Sequence, residues 1–465
     1  MIGRNVIDVT KLIDDQPLRP FHVKAVFLVF LVMVTDGYDQ MSIGFAAPGM
    51  LRALHIPRAE LGTVISAALF GMLVGAPLFG WVGDRFGRRP TVIGGVLIYG
   101  VVSLLTAVAE TAPQLLALRF LTGVGLSGVV ANSVALISEF APKRVRATLV
   151  VVAQIGLTFG FMLPAVVSSA AEASYGWKPF FIIGGVAPLA IGIVLLFALP
   201  ESLKFMVAAG RPTQQIRRVV NALDPRLQVG IDTTFIVSDV GPVDRRRSQI
   251  VGLFSGGLIW ITPTIWILYN TFLAAAYFLH GWMPILFRDD GLTIDQTAVV
   301  AAMFDVGGII GALVISRFAD RHGVAAIVAL YLLACPIVGI IGVVGQWVYL
   351  LGAVIFLAGF CLVGITLGMN AITGTIYPTE MRAMGIGWAY GVGRFGSMMG
   401  PLAGGWLIGM NLPISQLFLA PVVPLIVGAL LSFVLMRLCA QRAKERGLYD
   451  KAAGAYLDMQ PAAKG

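Results

Sequence analysis

The sequence predicts an all-α integral membrane protein with twelve transmembrane helices, arranged as two pseudo-symmetric bundles of six. Three observations predict this fold class. Of the 465 residues, 58% are hydrophobic and only 12% are charged, whereas soluble domains carry about 25% charged residues. Twelve apolar segments reach the length of about 20 residues that crosses a bilayer. Sequence motifs of the first half also recur in the second half, which indicates an internal duplication.

The twelve predicted spans fall into two groups of six, separated by a long polar stretch. That stretch, 201–250, contains the basic runs Arg217-Arg218 and Arg245-Arg246-Arg247. It is the longest predicted loop and the predicted boundary between the two halves. The predicted spans are 24–47, 61–82, 91–110, 114–138, 148–170, 179–199, 259–286, 297–318, 324–344, 347–372, 384–409 and 414–437.

The predicted domains follow from these spans. Cytoplasmic tails cover 1–23 and 438–465, and the two helical bundles cover 24–199 and 259–437. A cytoplasmic central loop covers 200–258. The polar start of the chain predicts no cleavable signal peptide before the first span.

The distribution of basic residues predicts the orientation in the membrane. Of the 33 Lys and Arg residues, 27 lie in the tails and inner loops if the N-terminus is inside, four lie outside and two lie within spans. The positive-inside rule then places both termini in the cytoplasm, as in a protein of the bacterial inner membrane. The net charge of +9 follows from this topology and requires no nucleic-acid partner. The three cysteines are widely spaced, so neither a disulfide nor a metal site is predicted.

Six residues recur at a constant offset of 236 positions. A constant offset over more than 70 residues indicates duplication of a six-helix unit, an architecture of transporters. A channel or an integral-membrane enzyme also fits twelve helices, but the repeat favours a transporter with two moving bundles. The first copy is Gly75, Asp84, Arg85, Gly87, Pro142 and Arg146, and the second is Gly311, Asp320, Arg321, Gly323, Pro378 and Arg382.

Four motifs resemble signatures of the major facilitator superfamily. Residues 80–89, Gly-Trp-Val-Gly-Asp-Arg-Phe-Gly-Arg-Arg, resemble its loop 2–3 signature. Residues 119–125 are similar to the fourth-helix Arg-x-x-x-Gly-x-Gly signature of its proton-coupled members. Residues 138–146 and 200–202 resemble the motifs that end helices four and six. The resemblance covers nearly the whole chain and implies the major facilitator fold.

A further motif resembles one family within that superfamily. Asp36-Gly37-Tyr38-Asp39 is similar to the first-helix Asp-Gly-x-Asp motif of the aromatic acid:H⁺ symporters, and the surroundings of Arg382 and Arg394 also resemble that family. The resemblance implies uptake of benzoate-, hydroxybenzoate- or phenylpropanoate-like anions together with protons.

Five charged residues inside the predicted spans have no charged counterpart in the repeat. Each charge at bilayer depth costs at least about 2.5 kcal/mol, so these residues are candidates for substrate and proton binding in a cavity between the bundles. The two acids of the first span are three residues apart, which places them on one helix face. The alternative is an early helix break that leaves both at the membrane surface. The five residues are Asp36, Asp39, Arg119, Asp305 and Arg394.

The chemistry of these side chains predicts their roles. A guanidinium binds a carboxylate in bidentate fashion, so Arg394 is the first candidate for anion binding. Arg119 is the second, with a structural salt bridge to Asp39 as its alternative. Desolvation and a second nearby carboxylate favour the protonated form of an acid, so Asp36 or Asp39 is the predicted proton carrier. Asp305 is predicted to bind substrate or to pair with Arg394.

Aromatic side chains are candidates for packing against an aromatic ring. Tyr38, beside the two acids, is the most specific of them. The weaker candidates are Phe272, Tyr277, Trp388 and Tyr390. The histidines at positions 55, 280 and 322 are predicted to lie at loop edges. His322, beside Asp320, is predicted to be solvated, with a part in gating as the alternative.

The duplicated charges predict a cytoplasmic lock that holds the outward-open state. Asp84 is suited to accept hydrogen bonds from an arginine or a helix N-terminus across the bundle interface. Glu139 and Arg146 are close enough in sequence to join one network with it. The alternative for Arg88 and Arg89 is that they only fix topology. The predicted gating residues are Asp84, Arg85, Arg88, Arg89, Glu139, Arg146, Asp320, Arg321 and Arg382.

The sequence predicts a proton-coupled secondary transporter that imports a small aromatic carboxylate and is functional as a monomer in the lipid bilayer. No Gly-Lys-Ser/Thr phosphate loop follows the glycine-rich segments, which argues against an ATP-driven pump. No cofactor, metal site or enzymatic activity is predicted. The open alternatives are a non-aromatic organic acid or a sugar as substrate, export of aromatic compounds, and a membrane sensor that signals through its 201–250 loop.

Overall fold

The described part of the computed structural model contains twelve long helices, as predicted. It covers residues 6–224, 226–227, 233–238, 252–345, 347–377, 381–410 and 412–458. The helices are α1 Pro20–Ala53, α2 Arg58–Phe86, α3 Arg88–Thr106, α4 Ala112–Phe140, α5 Arg146–Val167, α6 Lys178–Ala198, α7 Ile261–Asp289, α8 Ile294–His322, α9 Val324–Val344, α10 Val348–Ile376, α11 Arg382–Gly409 and α12 Val422–Asp458.

Ten helices in the described residues are long and apolar enough to cross a membrane. The remaining two long helices, α7 and α11, match them in length with 29 and 28 residues. Helix α7 contains two tryptophans, two tyrosines, an asparagine and a histidine, and α11 contains nine glycines, two tryptophans and Arg394. Because polar residues inside membrane helices usually face the protein interior, α7 and α11 are the helices in which a polar site is expected.

A small two-stranded element was not part of the all-α prediction. Strand β1, Val6–Asp8, pairs in parallel with strand β2, Thr234–Ile236. A short helix, Val9–Asp14, follows β1, and Asp8 caps it by accepting a hydrogen bond from the backbone N–H of Thr10. The beginning of the chain is therefore joined to the central loop. Two short helices of that loop, Leu203–Ala208 and Thr213–Leu223, precede β2.

The repeat seen in the sequence is also present in the helix packing. A methyl group on Gly160 would overlap the carbonyl oxygen of Val34, and one on Gly396 would overlap that of Asn270. Both members of the second contact lie 236 positions after those of the first. The turn between α2 and α3 repeats too, because Gly87 and Gly323 separate consecutive helices with φ values of 113° and 54°. Such positive φ angles favour glycine.

The chain divides into two compact units. Among the described residues, the first unit comprises those of Met1–Arg245, Leu279–Asp305 and Pro401–Leu412. The second comprises those of Arg246–Phe278, Val306–Gly400 and Pro413–Gly465. Helices α7, α8 and α11 therefore contribute to both units, and each unit is described separately below.

Candidate functional site

A buried ion pair joins α1 to α4 in the first unit. Arg119 donates from Nη2 to Oδ2 of Asp39 at 2.9 Å and from Nη1 to Oδ1 at 3.2 Å. The two side chains are 1% and 0% exposed. Ser103 also donates to Oδ1 of Asp39, at 3.4 Å, and the guanidinium lies 5.6 Å from the ring centre of Phe181. Arg119 and Asp39 therefore form the structural salt bridge that was the alternative to substrate binding.

Asp36 lies one turn before this pair on the same helix. It is the seventeenth of the 34 residues of α1 and is fully buried. Gln40 donates from Nε2 to Oδ1 of Asp36 at 3.1 Å. The neighbouring Thr35 shares a hydrogen bond of 2.6 Å with the buried hydroxyl of Tyr99. Because α1 is continuous through these positions, the early helix break considered above is excluded.

Tyr38 contributes to helix packing. Its hydroxyl donates to the carbonyl oxygen of Phe180 on α6 at 2.9 Å, and its side chain is almost fully buried. A methyl group on Gly184 would lie 3.2 Å from Cε1 of its ring. The expected contact of Tyr38 with a substrate is not supported, because its ring and its hydroxyl both contact α6.

Asp305 pairs with a histidine that was expected at a loop edge. Nε2 of His280 on α7 lies 3.3 Å from Oδ1 of Asp305 on α8, and the side chains are 11% and 6% exposed. Within the described part of the chain, His280 is the hydrogen-bond partner of the Asp305 carboxylate. Arg394 belongs to the second unit, so its pairing with Asp305, the alternative to a substrate role, stays a prediction. The expected position of His280 at a loop edge is wrong, because His280 lies nine residues before the end of α7.

The second unit contains a polar cluster of aromatic side chains around α7, α10 and α11. The hydroxyl of Tyr269 donates to Oδ1 of Asn370 at 2.6 Å, and Nδ2 of Asn370 donates to the hydroxyl of Tyr390 at 3.4 Å. The rings of Tyr269 and Tyr390 meet edge to face at 5.3 Å, and the ring of Phe272 lies 5.2 Å from that of Tyr269. Arg394 is half-buried and lies one turn after Tyr390 on α11.

Close packing fixes α11 against α7 at this cluster. A methyl group on Gly393 would lie 2.9 Å from Cβ of Tyr269, and one on Gly396 would overlap the backbone of Asn270. Arg394 lies between these two glycines. Arg394 and Tyr390 lie on one face of α11, since residues four apart share a face, and Asn370 of α10 links Tyr390 to Tyr269 of α7.

A charged network lies where α2 and α4 end and α3 begins, on the side predicted to be cytoplasmic. Arg88 donates from Nη1 to Asp84 at 2.6 Å and from Nε to Glu139 at 3.4 Å. Oε1 of Glu201 accepts hydrogen bonds from the backbone N–H groups of Arg88 and Arg89, both at 3.1 Å, and so caps α3. Burial raises the pKa of Glu201, although these N–H groups favour its ionised form.

Arg146 does not join this network, contrary to expectation. Its guanidinium donates to Asp14 in the N-terminal segment and to the carbonyl oxygen of Ala141. Sequence proximity to Glu139 did not determine the direction of a side chain at the start of a new helix. The guanidinium of Arg85 lies 5.3 Å from the ring centre of Trp81.

The second-half members of the predicted gating set are only partly described. Arg321 and Arg382 are exposed. The side chain of Asp320 lies outside the described part of the chain, and so does Pro378 of the second copy of the repeat. The equivalence of the two copies in gating therefore remains a prediction.

Two ion pairs lie at the opposite ends of the helices, in the first unit. Arg288 at the end of α7 donates to Glu172 at 2.7 Å, and Glu172 ends the π-helical turn Ser168–Glu172 after α5. Arg58 at the start of α2 donates to both carboxylate oxygens of Asp289, at 2.7 and 3.0 Å. Both arginines belong to the four basic residues predicted on the outer side.

The sequence reasoning missed several polar residues of these sites. His280 was detectable, because it lies inside the predicted span 259–286, where a solvent-exposed histidine is unexpected. Tyr269 and Asn370 lie 101 residues apart, and no local pattern connects them. Within the described residues, no three His, Cys, Asp or Glu side chains are grouped so that they could hold a metal ion.

Comparison with known proteins decides the family. The sequence profile described as Major Facilitator Superfamily matches residues 29–304 and 265–453. The chain belongs to the major facilitator superfamily. It is 36% identical to the 4-hydroxybenzoate transporter PcaK of Pseudomonas aeruginosa over 90% of this chain and 93% of that protein. It is 33% identical to the gallate transporter of Pseudomonas putida, over 91% and 94% of the two chains. These relatives place this major facilitator protein in the family of aromatic acid transporters and confirm the resemblance found in its motifs.

Solved structures of this superfamily show the same fold. A bacterial homologue of the human lysosomal transporter Spinster matches with a TM-score of 0.69 at 17% identity, over 92% of this chain and 99% of that chain. A D-xylose–proton symporter matches with a TM-score of 0.68 at 16% identity, over 89% and 97% of the two chains. The predicted fold class is thereby confirmed.

Proposed function

We propose that the protein is a proton-coupled symporter that imports a small aromatic carboxylate across the bacterial inner membrane. The observation that carries the proposal is the cluster of Tyr269, Asn370 and Tyr390, one helical turn from Arg394. A benzoate-like anion combines a carboxylate with an aromatic ring. A guanidinium binds the carboxylate in bidentate fashion, and phenol rings pack edge to face or offset against the ring.

The names of the relatives support an aromatic acid as the substrate. They are described as transporters of 4-hydroxybenzoate, gallate and benzoate, all of which are aromatic carboxylates. The hydroxyl and amide groups of Tyr390 and Asn370 would suit a ring hydroxyl, because both are half-buried hydrogen-bonding groups. A hydroxybenzoate is therefore the first substrate to test.

Asp36 is the better of the two predicted proton carriers. Asp39 accepts two charge-assisted hydrogen bonds from Arg119, and arginine does not lose its proton in proteins. Protonation of Asp39 would break this pair and leave a buried guanidinium without its carboxylate. Asp36 is fully buried one turn from Asp39 and accepts a hydrogen bond from the neutral side chain of Gln40.

The network of Asp84, Arg88 and Glu139 is proposed to take part in gating. Its ion pairs lie at the cytoplasmic ends of three helices and are partly exposed, so water can reach them when the helices move. We further propose that both termini are cytoplasmic, that the protein works as a monomer and that it catalyses no chemical reaction. The excess of basic residues in the inner segments supports this orientation.

The substrate proposal predicts that Arg394→Ala abolishes uptake. In proteoliposomes, the wild-type protein should accumulate labelled 4-hydroxybenzoate when the outside is acidic. Arg394→Ala should lower the initial rate by about 100-fold, because one charged hydrogen-bonding pair contributes about 1.5–3 kcal/mol. Arg394→Lys should recover only part of the rate, since an ammonium does not bind a carboxylate in bidentate fashion.

Arg52→Ala is the matched control, because Arg52 is an exposed arginine at the end of α1 that donates to the carbonyl oxygen of Pro48. It should transport at the wild-type rate. Uptake by Arg394→Ala equal to that of this control would contradict the assignment of Arg394. A wild-type protein that moves no aromatic acid in either direction would contradict the proposed function.

A further inference from the structure

A second buried pair of titratable side chains lies in the middle of α7 and α8. His280 is the twentieth of the 29 residues of α7, and Asp305 is the twelfth of the 29 residues of α8. Their side-chain atoms Nε2 and Oδ1 are 3.3 Å apart, and both side chains are nearly buried. An ionisable pair inside membrane helices is unfavourable unless it has a use.

Apolar rings and a close helix crossing enclose the imidazole. The ring of Phe304 meets it edge to face, with 4.5 Å between centroids, and the ring of Phe161 on α5 lies at 5.4 Å. On α1, a methyl group on Gly44 would lie 3.1 Å from the carbonyl oxygen of His280. A net charge on the pair is unfavourable beside these apolar rings, because they do not solvate it.

Charged residues on the neighbouring helices mostly have partners of their own. Helices α2 and α11 also pack against this part of α7, through Ile65 and Pro401 beside Gly281. Asp39 is held by Arg119, and Glu172 by Arg288. The charged residues nearest to these contact positions along each helix are Asp36, Asp39 and Arg52 on α1, Glu60 and Arg58 on α2, Glu172 after α5, Arg288 and Asp289 on α7, Asp295 on α8 and Arg394 on α11.

The five charged residues inside the predicted spans do not sum to zero charge without bound protons. Three acids and two arginines leave one net negative charge while the imidazole is neutral, and a bound monocarboxylate increases this to two. Two protons bring the sum of these five residues and the bound anion to zero, and one of the protons is assigned to Asp36. The residues counted are Asp36, Asp39, Asp305, Arg119 and Arg394. The second proton requires a second site, since Asp39 is bound by a guanidinium.

We propose that the His280–Asp305 pair binds a second proton, so that two protons accompany each monocarboxylate. The proposal rests on the proposed function, because it adds a proton to the one at Asp36. With a neutral imidazole and an ionised carboxylate the pair is negative, and a proton on Nε2 or Oδ1 makes it neutral overall. The proton enters and leaves as H⁺. Its release requires water at the pair, and therefore an opening of the contacts with Phe161 and Phe304.

The test is whether transport moves net charge. Two protons with one anion carry one positive charge inward, and one net charge sustains about tenfold accumulation for about 60 mV of potential. Wild-type proteoliposomes with equal pH on both sides should therefore accumulate labelled 4-hydroxybenzoate about tenfold at that inside-negative potential. His280→Gln and Asp305→Asn should lose this response and still accumulate the acid when only a pH gradient is applied.

His55→Asn is the matched control, because His55 is an exposed histidine whose positive φ angle of 52° suits asparagine. It should respond to the potential as the wild type does. Variants of the pair with an unchanged response would overturn the proposal, and so would a wild-type protein that ignores the potential. The measurement on the wild-type protein does not depend on whether any variant folds. The proposed function fails only if the wild type also ignores the pH gradient.

Discussion

At the scale of single residues, burial determines what each charged side chain does. Asp36 and Asp39 are one turn apart on α1 and fully buried, yet their partners differ. Asp39 has a guanidinium and a serine hydroxyl as donors, whereas Asp36 has the amide of Gln40. The sequence predicted both acids and their depth. For Arg119, the sequence left open whether its partner is a substrate carboxylate or Asp39.

The pair of Asp39 and Arg119 should contribute strongly to stability. Asp39→Asn leaves the buried guanidinium without a counter-charge, and breaking one member of such a pair costs about 3–5 kcal/mol. The double variant Asp39→Asn, Arg119→Gln removes both charges and should recover most of this loss. The free energy of unfolding in detergent, measured by titration with sodium dodecyl sulfate, compares the variants.

Arg52→Gln serves as the control for loss of an arginine charge, since Arg52 is exposed. Its free energy of unfolding should stay within about 0.5 kcal/mol of the wild type. If Asp39→Asn and the double variant are equally destabilised, then the loss comes from the asparagine itself. The ion pair would then have no part in stability.

At the scale of elements, the sequence predicted the helices better than the contacts between them. Twelve apolar segments were sufficient to locate α1 to α12, because the bilayer fixes their length. The N-terminal segment gave no such signal. Its residues Asp14 and Arg19 bind Arg146 and Asp224, which are 132 and 205 positions away. Contacts between polar residues so far apart leave no periodic pattern in a single sequence.

These ion pairs should hold the N-terminal segment to the first unit. Asp14→Asn and Asp224→Asn each remove one charge from the pairs with Arg146 and Arg19. Each should cost up to about 1 kcal/mol locally, because partly exposed pairs contribute about 0.2–1 kcal/mol. Amide hydrogen exchange of residues 6–14 should then rise about fivefold, while exchange in α1 stays unchanged.

Asp15→Asn is the control for this experiment. Asp15 is the next residue in the chain and is exposed. Exchange of residues 6–14 should be the same in this variant as in the wild type. Equal protection in all three variants would mean that the pairing of β1 with β2, and not the ion pairs, holds the segment in place.

At the scale of the whole molecule, the repeat relates packing in one part of the chain to packing in another. The offset of 236 was found from six sequence matches, but it also relates backbone contacts. Gly71 packs against the carbonyl of Phe120, and Gly307 packs against that of Phe356. The five charged residues inside the helices break the repeat. Duplication therefore accounts for the scaffold, and the residues proposed for transport were identified because they depart from it.

The repeat predicts equal costs for equivalent substitutions. Gly160→Ala and Gly396→Ala each place a methyl group on a backbone carbonyl of the neighbouring helix. Each should lower the free energy of unfolding by about 1–3 kcal/mol, the usual cost of overpacking. Gly94→Ala and Gly387→Ala are the controls, because a methyl group there meets nothing within 4 Å. These should be neutral or stabilising, since alanine favours a helix more than glycine does. A large cost at Gly160 with none at Gly396 would show that the two contacts are equivalent in position but not in energy.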